Sequence, residues 1–502
     1  MVSTYDLVIR GGTVYDGTGA PGARADVGVR GDRITGVGTI AERGGAELDA
    51  AGLAVSPGFV DVHSHDDLAV LCDPQMAFKV LQGVTTDVVG NCGSGVVPFE
   101  VGLQRFRRLD PDAAPPPWDS FATYMARVDE VAPSCNVAVL VGHGSLRQGA
   151  MGPAPRAPSG GELDRMRAWV REGVEAGVVG LSTGLIYEPG RYARTDEVIA
   201  LARELAPDGG LYATHMRNEA DGLLDAVAEA LRIGEEGGVP VQISHHKAGG
   251  RNNWGRVRDS LRLIDQARAR GLDVTADQYP YTAGSTSLHA VIQNGAFRAD
   301  SPGGLGRLSA ADVLIASAPE HGEWEGLRLA ELARRWGLGD EEAARRVVEA
   351  EGEACFVVVF SMDEADVRTV MAHPTTMIGS DGVPAAGSKP HPRLYGCFPR
   401  VLGHYVRDER VLELATAIHR MTGMPAAKFR LADRGVIMAG AFADLVVFDP
   451  ARIRDTATYD DPRRFPDGLR AVYVNGRAVA RDGAHTGARP GRALRRGRSF
   501  SE

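Results

Sequence analysis

Six side chains in this 502-residue chain could together hold a metal ion and move a proton: His63, His65, Cys92, His215, His245 and Asp381. His63 and His65 sit two apart in GFVDVHSH. A strand's period of two puts both on one face, where they can chelate together. Cys92, His215, His245 and Asp381 each close a different apolar run. Imidazole, thiolate and carboxylate donors favour a borderline divalent ion such as Zn2+ and suit Mg2+ or Ca2+ poorly. In SHHK the neighbours His245 and His246 point opposite ways on a strand, and His245 is the expected ligand because it shares parity with an inward Lys247. Asp381, in IGSDG, is the expected proton shuttle. A metal lowers the pKa of its bound water toward about 7, and a carboxylate alongside can take that proton and pass it to a leaving amine. Taken singly, an HxH is a pair of polar strand ends and an SDG a turn, so the set carries the argument. His143 could border such a site; the other histidines fall in loops or helices, and Cys72, Cys135, Cys355 and Cys397 read as small buried residues.

Residues so far apart meet only if the fold gathers strand ends. Eight runs qualify as strands: GFVDVHSH, TTDVVGNCG, NVAVLVGHG, GVVGLSTG, GLYATHMR, VPVQISHHK, DVTADQYPY and TTMIGSDG. Helix-compatible segments at 161–177, 195–206, 221–236 and 255–270 lie between many of them. Each run starts apolar and ends polar, the polarity of a (β/α)8 TIM barrel, an α/β fold whose active site is built from strand ends on one face. The first fifty residues read as short Gly-punctuated strands, and 443–450 and 471–479 repeat the pattern. Both termini are therefore expected to build one small β-sandwich domain, with boundaries at 1–57, 58–430 for the barrel, and 431–497. Roughly ninety residues separate the seventh and eighth runs, far above the usual βα loop of about 2–6. Helical patterns at 309–318, 323–336 and 340–351, then FVVVF at 356–360, predict a lid-like insertion, about 290–350, at the catalytic mouth. The basic C-terminal segment GARPGRALRRGRSFSE reads as a solvated tail.

Composition narrows the classes. Hydrophobic residues make up 44% and charged residues 24%, an ordinary globular balance. A net charge of -9, with 56 Lys and Arg against 65 Asp and Glu, leaves no basic footprint for nucleic acid. No signal peptide is visible, and apolar runs such as 137–141 stop far short of a membrane span. A cytoplasmic protein without membrane partners is expected. Five cysteines without a CxxC pair argue against a disulfide framework.

Taken in order, PGFVDVHSHDD, QGVTTDVVGNCGSG, GLSTGLIYEPG, THMRNE, SHHKAGG with NWGR, DQYPYTAGSTS, GSDG and KPHPRLYGCFPR resemble the D-aminoacylase, or N-acyl-D-amino-acid deacylase, branch of the amidohydrolase superfamily. The resemblance runs from about residue 5 to 497. It implies a barrel with a small β domain and zinc-dependent hydrolysis of N-acyl-D-amino acids to a carboxylate and a free D-amino acid. By motif, it assigns a tight metal to Cys92, His215 and His245 and a second, weaker position to His63 and His65. Asp381 becomes the general acid/base, and Lys247, Tyr187 and Arg393 meet the substrate carboxylate. A Lys point charge and an Arg fork suit a fixed anion. Tyr279, Tyr281 and Ser285 are expected near the pocket without a defined role.

Three rival readings fit parts of the sequence. Gly180 to Gly184 matches the G-x-S-x-G elbow of serine hydrolases, but LIYEPGRY follows it with a Pro-Gly turn where an elbow needs a helix. A cyclic amide hydrolase would keep the metal chemistry and change the substrate. A catalytically silent scaffold would have lost ligands, whereas all six candidate positions carry metal-binding or proton-moving groups.

Overall fold

A computed structural model describes residues 4–110, 115–298, 304–384 and 388–497. Parts of the expected insertion (299–303) and of the basic tail (498–502) lie outside the described residues. All eight predicted runs form strands: β1 (Phe59–Asp61), β2 (Val84–Val89), β3 (Asn136–Gly142), β4 (Gly180–Gly184), β5 (Leu211–His215), β6 (Val241–Ile243), β7 (Val274–Gln278) and β8 (Thr376–Ile378). They pair in parallel in sequence order. The helices Gly160–Ala176, Thr195–Ala202, Leu223–Gly237 and Val257–Ala269 begin within two residues of their predicted starts. Local chemistry explains one such start: Ser159 and Glu162 form a reciprocal capping box. The strands are buried on both faces, as parallel sheets require. Val60, Val88, Ala138, Leu140, Leu211, Ala213 and Met377 share one apolar cluster drawn from five of the strands.

Closure between β1 and β8 is made just past the strands. Ser64 bridges Gly382 in parallel, and Asp381 N donates to His63 O at 2.7 Å. Beneath this seam lies a fully buried charge cluster. Lys79 Nζ sits 2.5 Å from Asp61, 2.8 Å from Asp66 and 3.5 Å from Asp87. The other oxygen of Asp61 accepts from the backbone amides of His63 (3.2 Å) and Ser380 (2.8 Å), one beyond each strand. Burial, together with the nearby Asp66 and Asp61, pushes the Asp87 carboxyl well up, so it keeps its proton.

Both termini contribute to a second, nine-stranded mixed sheet. Strand Ala54–Pro57 pairs in parallel with Tyr5–Val14 and antiparallel with Leu445–Phe448, joining the two ends of the chain. The edge strand Arg33–Gly38 meets residues 441–442, so the sheet closes on a core of Leu7, Ile9, Val27, Leu445, Val447 and Tyr473. Gly58 leads from this sheet into β1, where a Cβ would come within 2.0 Å of Thr85 Oγ1 and only glycine fits.

The insertion is a small antiparallel sheet of Gly284–Ser287, Phe356–Val359 and Val313–Ser317, covered by helices Leu329–Trp336 and Asp340–Glu351 and holding its own apolar core. The predicted helix at 309–318 is corrected. Only residues 310–312 turn helically, and VLIAS then runs as a buried strand because pairing with 356–359 outweighs local preference. The basic tail also departs from expectation: Ala493 and Leu494 are buried and pair in parallel with β3. Two apolar residues there outweigh the surrounding arginines.

Replacing Lys79 with Met would leave three buried carboxyl groups without their cation. Denaturant titration should show a loss of about 3–5 kcal/mol in stability.

Candidate metal centre and cavity

At the C-terminal mouth of the barrel, Cys92 follows β2, His215 ends β5, and His245 lies two residues beyond β6. His63 and His65 follow β1, and Asp381 follows β8. The Cys92 thiol is the common centre: its Sγ lies 3.3 Å from His63 Nε2, 3.5 Å from His245 Nε2 and 3.8 Å from His215 Nδ1. Two overlapping donor groups result, one of Cys92, His215 and His245 and the other of His63, His65, Cys92 and Asp381. A tetrahedral zinc with ordinary Zn–S and Zn–N bonds sets its S and N donors about 3.5 Å apart. The Cys92 distances to His215 and His245 fit that spacing.

Three of these residues have backbone conformations that side chains other than glycine seldom adopt: Cys92 (φ +53), His245 (φ +34) and Asp381 (φ +49). Each turns abruptly off its strand end, which aims its side chain across the mouth. Left-handed positions of this kind cost of order 1–3 kcal/mol and persist where packing over-determines them. Ser182 shows one such restraint. Its hydroxyl accepts from Gly93 N at 3.0 Å and donates to Gly90 O at 2.5 Å, clamping the turn that carries Cys92. The serine of the G-x-S-x-G match is thus committed to the barrel wall.

Electrostatics suit a ligand set. Burial opposes ionisation of Cys92, but His63 and His245 outweigh it and hold the thiol well below its ordinary value. Burial likewise opposes charge on Asp381, and Arg393, His245 and His63 overcome it, keeping the carboxyl well below the carboxylate range. Asp381 Oδ1 faces His65 (3.1 Å) and His63 (3.5 Å), while Oδ2 pairs with Arg393 at 2.9 Å.

Two carboxylates that motif assignment left without a role support the imidazoles. Glu219 in THMRNE lies 3.0 Å from His245 Nδ1, 3.6 Å from His215 Nε2 and 2.7 Å from Lys247 Nζ. Asp277 in DQYPY lies 3.2 Å from His63 Nδ1 and accepts from His245 N at 2.8 Å. Both lie inside the motifs that carry the family resemblance, and their signal in the sequence is a carboxylate at or just after a strand end. His246 points away, to Ser260 at 2.9 Å, and burial with the nearby Lys247 pushes it down to about 4. His143 is also behind the wall, 2.9 Å from Glu197.

The mouth opens into a cavity of 410 Å³, ordinary for a small-molecule site. Lys247, Tyr187, Tyr279 and Ser285 line it with His65, Cys92, His215, His245 and Asp381. Tyr281 is absent from the lining, as is Arg393, which sits buried behind Asp381 with its guanidinium 4.5 Å from the Tyr279 ring.

Comparison with known proteins agrees with this geometry. The family model described as "Amidohydrolase family" matches residues 46–480. A D-aminoacylase of Alcaligenes xylosoxydans xylosoxydans is 42% identical over 98% of both chains. The chain belongs to the amidohydrolase family, in its D-aminoacylase branch. The N-acyl-D-glutamate deacylase of the same organism is also 42% identical (100% of this chain, 99% of the relative), as is its N-acyl-D-aspartate deacylase (97% and 95%). Among solved structures, the N-acyl-D-glutamate deacylase of Bordetella bronchiseptica, complexed with zinc and a phosphonate mimic of the tetrahedral intermediate, superposes with a TM-score of 0.86 at 41% identity over 98% and 99% of the chains. A D-aminoacylase whose binuclear metal centre is activated by one metal and attenuated by the second gives 0.88 at 41% identity over 98% and 100%. This amidohydrolase shares their fold throughout. Among its described residues no helix is long and apolar enough to cross a membrane.

Cys92→Ala should lower bound zinc well below one per chain by elemental analysis. Glu219→Gln should keep the ligands but weaken metal affinity about 10–100-fold, measured against a competing chelator.

Proposed function

We propose that this amidohydrolase is a zinc-dependent deacylase of N-acyl-D-amino acids, releasing a carboxylate and a free D-amino acid. The observation that carries the proposal is one buried thiol shared by two donor groups, with Asp381 and the Lys247 ammonium lining the same cavity. Cys92, His215 and His245 would hold the tight zinc, with His63 and His65 defining a weaker second position. When bound, the zinc supplies a water of lowered pKa and draws charge from the acyl carbonyl.

The chain's own groups do the rest. Asp381 Oδ1, turned toward the donor cluster, takes the proton from the attacking water and returns it to the departing amine nitrogen. Arg393 fixes the carboxylate by holding Oδ2. Lys247 stays an ammonium: burial opposes its charge, but Glu219 and Tyr279 raise its pKa overall. It meets the substrate carboxylate with help from Tyr187, whose phenol burial and the Cys92 charge keep protonated, so that it donates. Of the three groups that the sequence resemblance points at that carboxylate, we assign Arg393 to Asp381 because it does not line the cavity.

Asp381→Asn should keep its zinc and lose about 10²–10⁴-fold in kcat for N-acetyl-D-amino acids. Metal analysis and amine release on the same preparation decide this: retained turnover would remove Asp381 from the proton path. Chelation of the native protein should abolish D-selective release and zinc should restore it; metal without any such release would favour a cyclic amide substrate.

A further inference from the structure

We infer that Asp277, a buried carboxylate behind the donor cluster, is a positioning residue that sets how firmly the second metal position is held, separately from the tight one. The inference rests on the two metal positions of the proposed function and goes beyond them by saying which carboxylate governs which. It does not depend on the amide that is cleaved.

The nitrogens that back the ligands divide between two carboxylates. Cys92 Sγ faces His215 Nδ1, His245 Nε2 and His63 Nε2, which leaves His215 Nε2, His245 Nδ1 and His63 Nδ1 turned away from the thiol. A carboxylate at the far nitrogen of a ligand imidazole fixes the ring and makes it a better donor. Glu219 takes that place for both imidazoles of the tight position, 3.6 Å from His215 and 3.0 Å from His245. Asp277 takes it for His63, with Oδ1 3.2 Å from Nδ1. The other imidazole of the second group, His65, faces Asp381, which belongs to that group itself. The carboxylate standing behind the second position is therefore Asp277.

Its own place is fixed. Oδ2 accepts from Gln242 Nε2 at 2.8 Å, Oδ1 accepts from His245 N at 2.8 Å, and its carbonyl accepts from His246 N at 2.8 Å. Gly379, just past β8, makes room for the pair: a Cβ there would come within 2.6 Å of His63 Cβ and 3.2 Å of Asp277 Oδ1. One oxygen thus meets the main chain of a tight-position ligand and the ring of a second-position ligand. The two contacts differ in what they require. The His245 amide needs an acceptor in the right place, charged or neutral, whereas the donor strength of His63 rises with the charge behind its ring. Removing that charge while keeping the shape should fall on the second position.

The test is zinc binding by the native protein and by Asp277→Asn, measured by equilibrium dialysis and elemental analysis over free zinc concentrations set with chelator buffers. The native protein should bind a first zinc tightly and a second more weakly. Asparagine keeps an oxygen for the His245 amide, and Gln242 can turn its own amide oxygen toward the new NH2 group. Asp277→Asn should weaken the second zinc about 10–100-fold and shift the first by less than about threefold. Glu219→Gln should give the reverse pattern, whereas a variant that only loosened the fold would weaken both. Equal losses at both zincs, or an unchanged second zinc, would overturn the role of Asp277 and leave the two positions standing. A native protein that takes up one zinc at every concentration would remove the second position and this inference with it, leaving the tight site and the deacylation untouched. If Asp277→Asn does not fold, Gln242→Met decides instead, because it releases Oδ2 and spares both ligand contacts of Oδ1. It should weaken the second zinc and spare the first; an unchanged second zinc would again overturn the role.

Discussion

Everything at the mouth depends on the barrel closing between its first and last strands. The ladder there is minimal, a single bridge at Ser64 and Gly382 with hydrogen bonds around it. The Asp61 carboxylate compensates by binding the amides of His63 and Ser380 at once, while buried Lys79 holds Asp61 in place. Such a cluster is a poor source of net stability, because desolvating the charges offsets most of their attraction. Its value is geometric. It sets two histidines from β1 and a carboxylate from β8 within reach of one thiol.

Cys92 then couples the two halves of the site. A buried thiolate needs nearby positive charge, and a buried imidazole is held in a fixed orientation when its other nitrogen is engaged. Glu219 and Asp277 engage them from behind, so the donors on five strand ends form one electrostatic unit. The left-handed turns at Cys92, His245 and Asp381 belong to the same design. Each sacrifices local backbone preference to aim a side chain inward, and Ser182 shows how the barrel wall holds one such turn.

The two additions to the barrel divide the remaining work. The terminal sheet joins the chain's ends along Ala54–Pro57 and delivers the chain to β1 through Gly58. The insertion has its own sheet and apolar core, so it can present a firm wall to the cavity without borrowing packing from the barrel. The donor groups thus sit on strand ends, and part of the cavity wall sits on a separately packed unit.

Much of this was legible in the sequence. Alternation of apolar runs with helical segments, each run ending in a polar group, suffices for eight parallel strands and for the side of the barrel that carries chemistry, because burial on both faces leaves polar residues nowhere but the ends. The period of two pairs His63 with His65 and separates His245 from His246. Other features depend on partners distant in the chain. VLIAS became a strand because 356–359 lay beside it, and Ala493–Leu494 were buried because the edge of β3 was open to them. Arg393 stands behind Asp381, and Glu219 and Asp277 stand behind the imidazoles, through contacts that no local pattern encodes. The sequence by itself determined the barrel strands, the donor types and the kind of metal those donors favour, since those follow from side-chain identity and short-range periodicity. The tertiary structure decided which donors share Cys92, which charges neutralise one another and what lines the cavity, since those are distances between segments that only closure brings together.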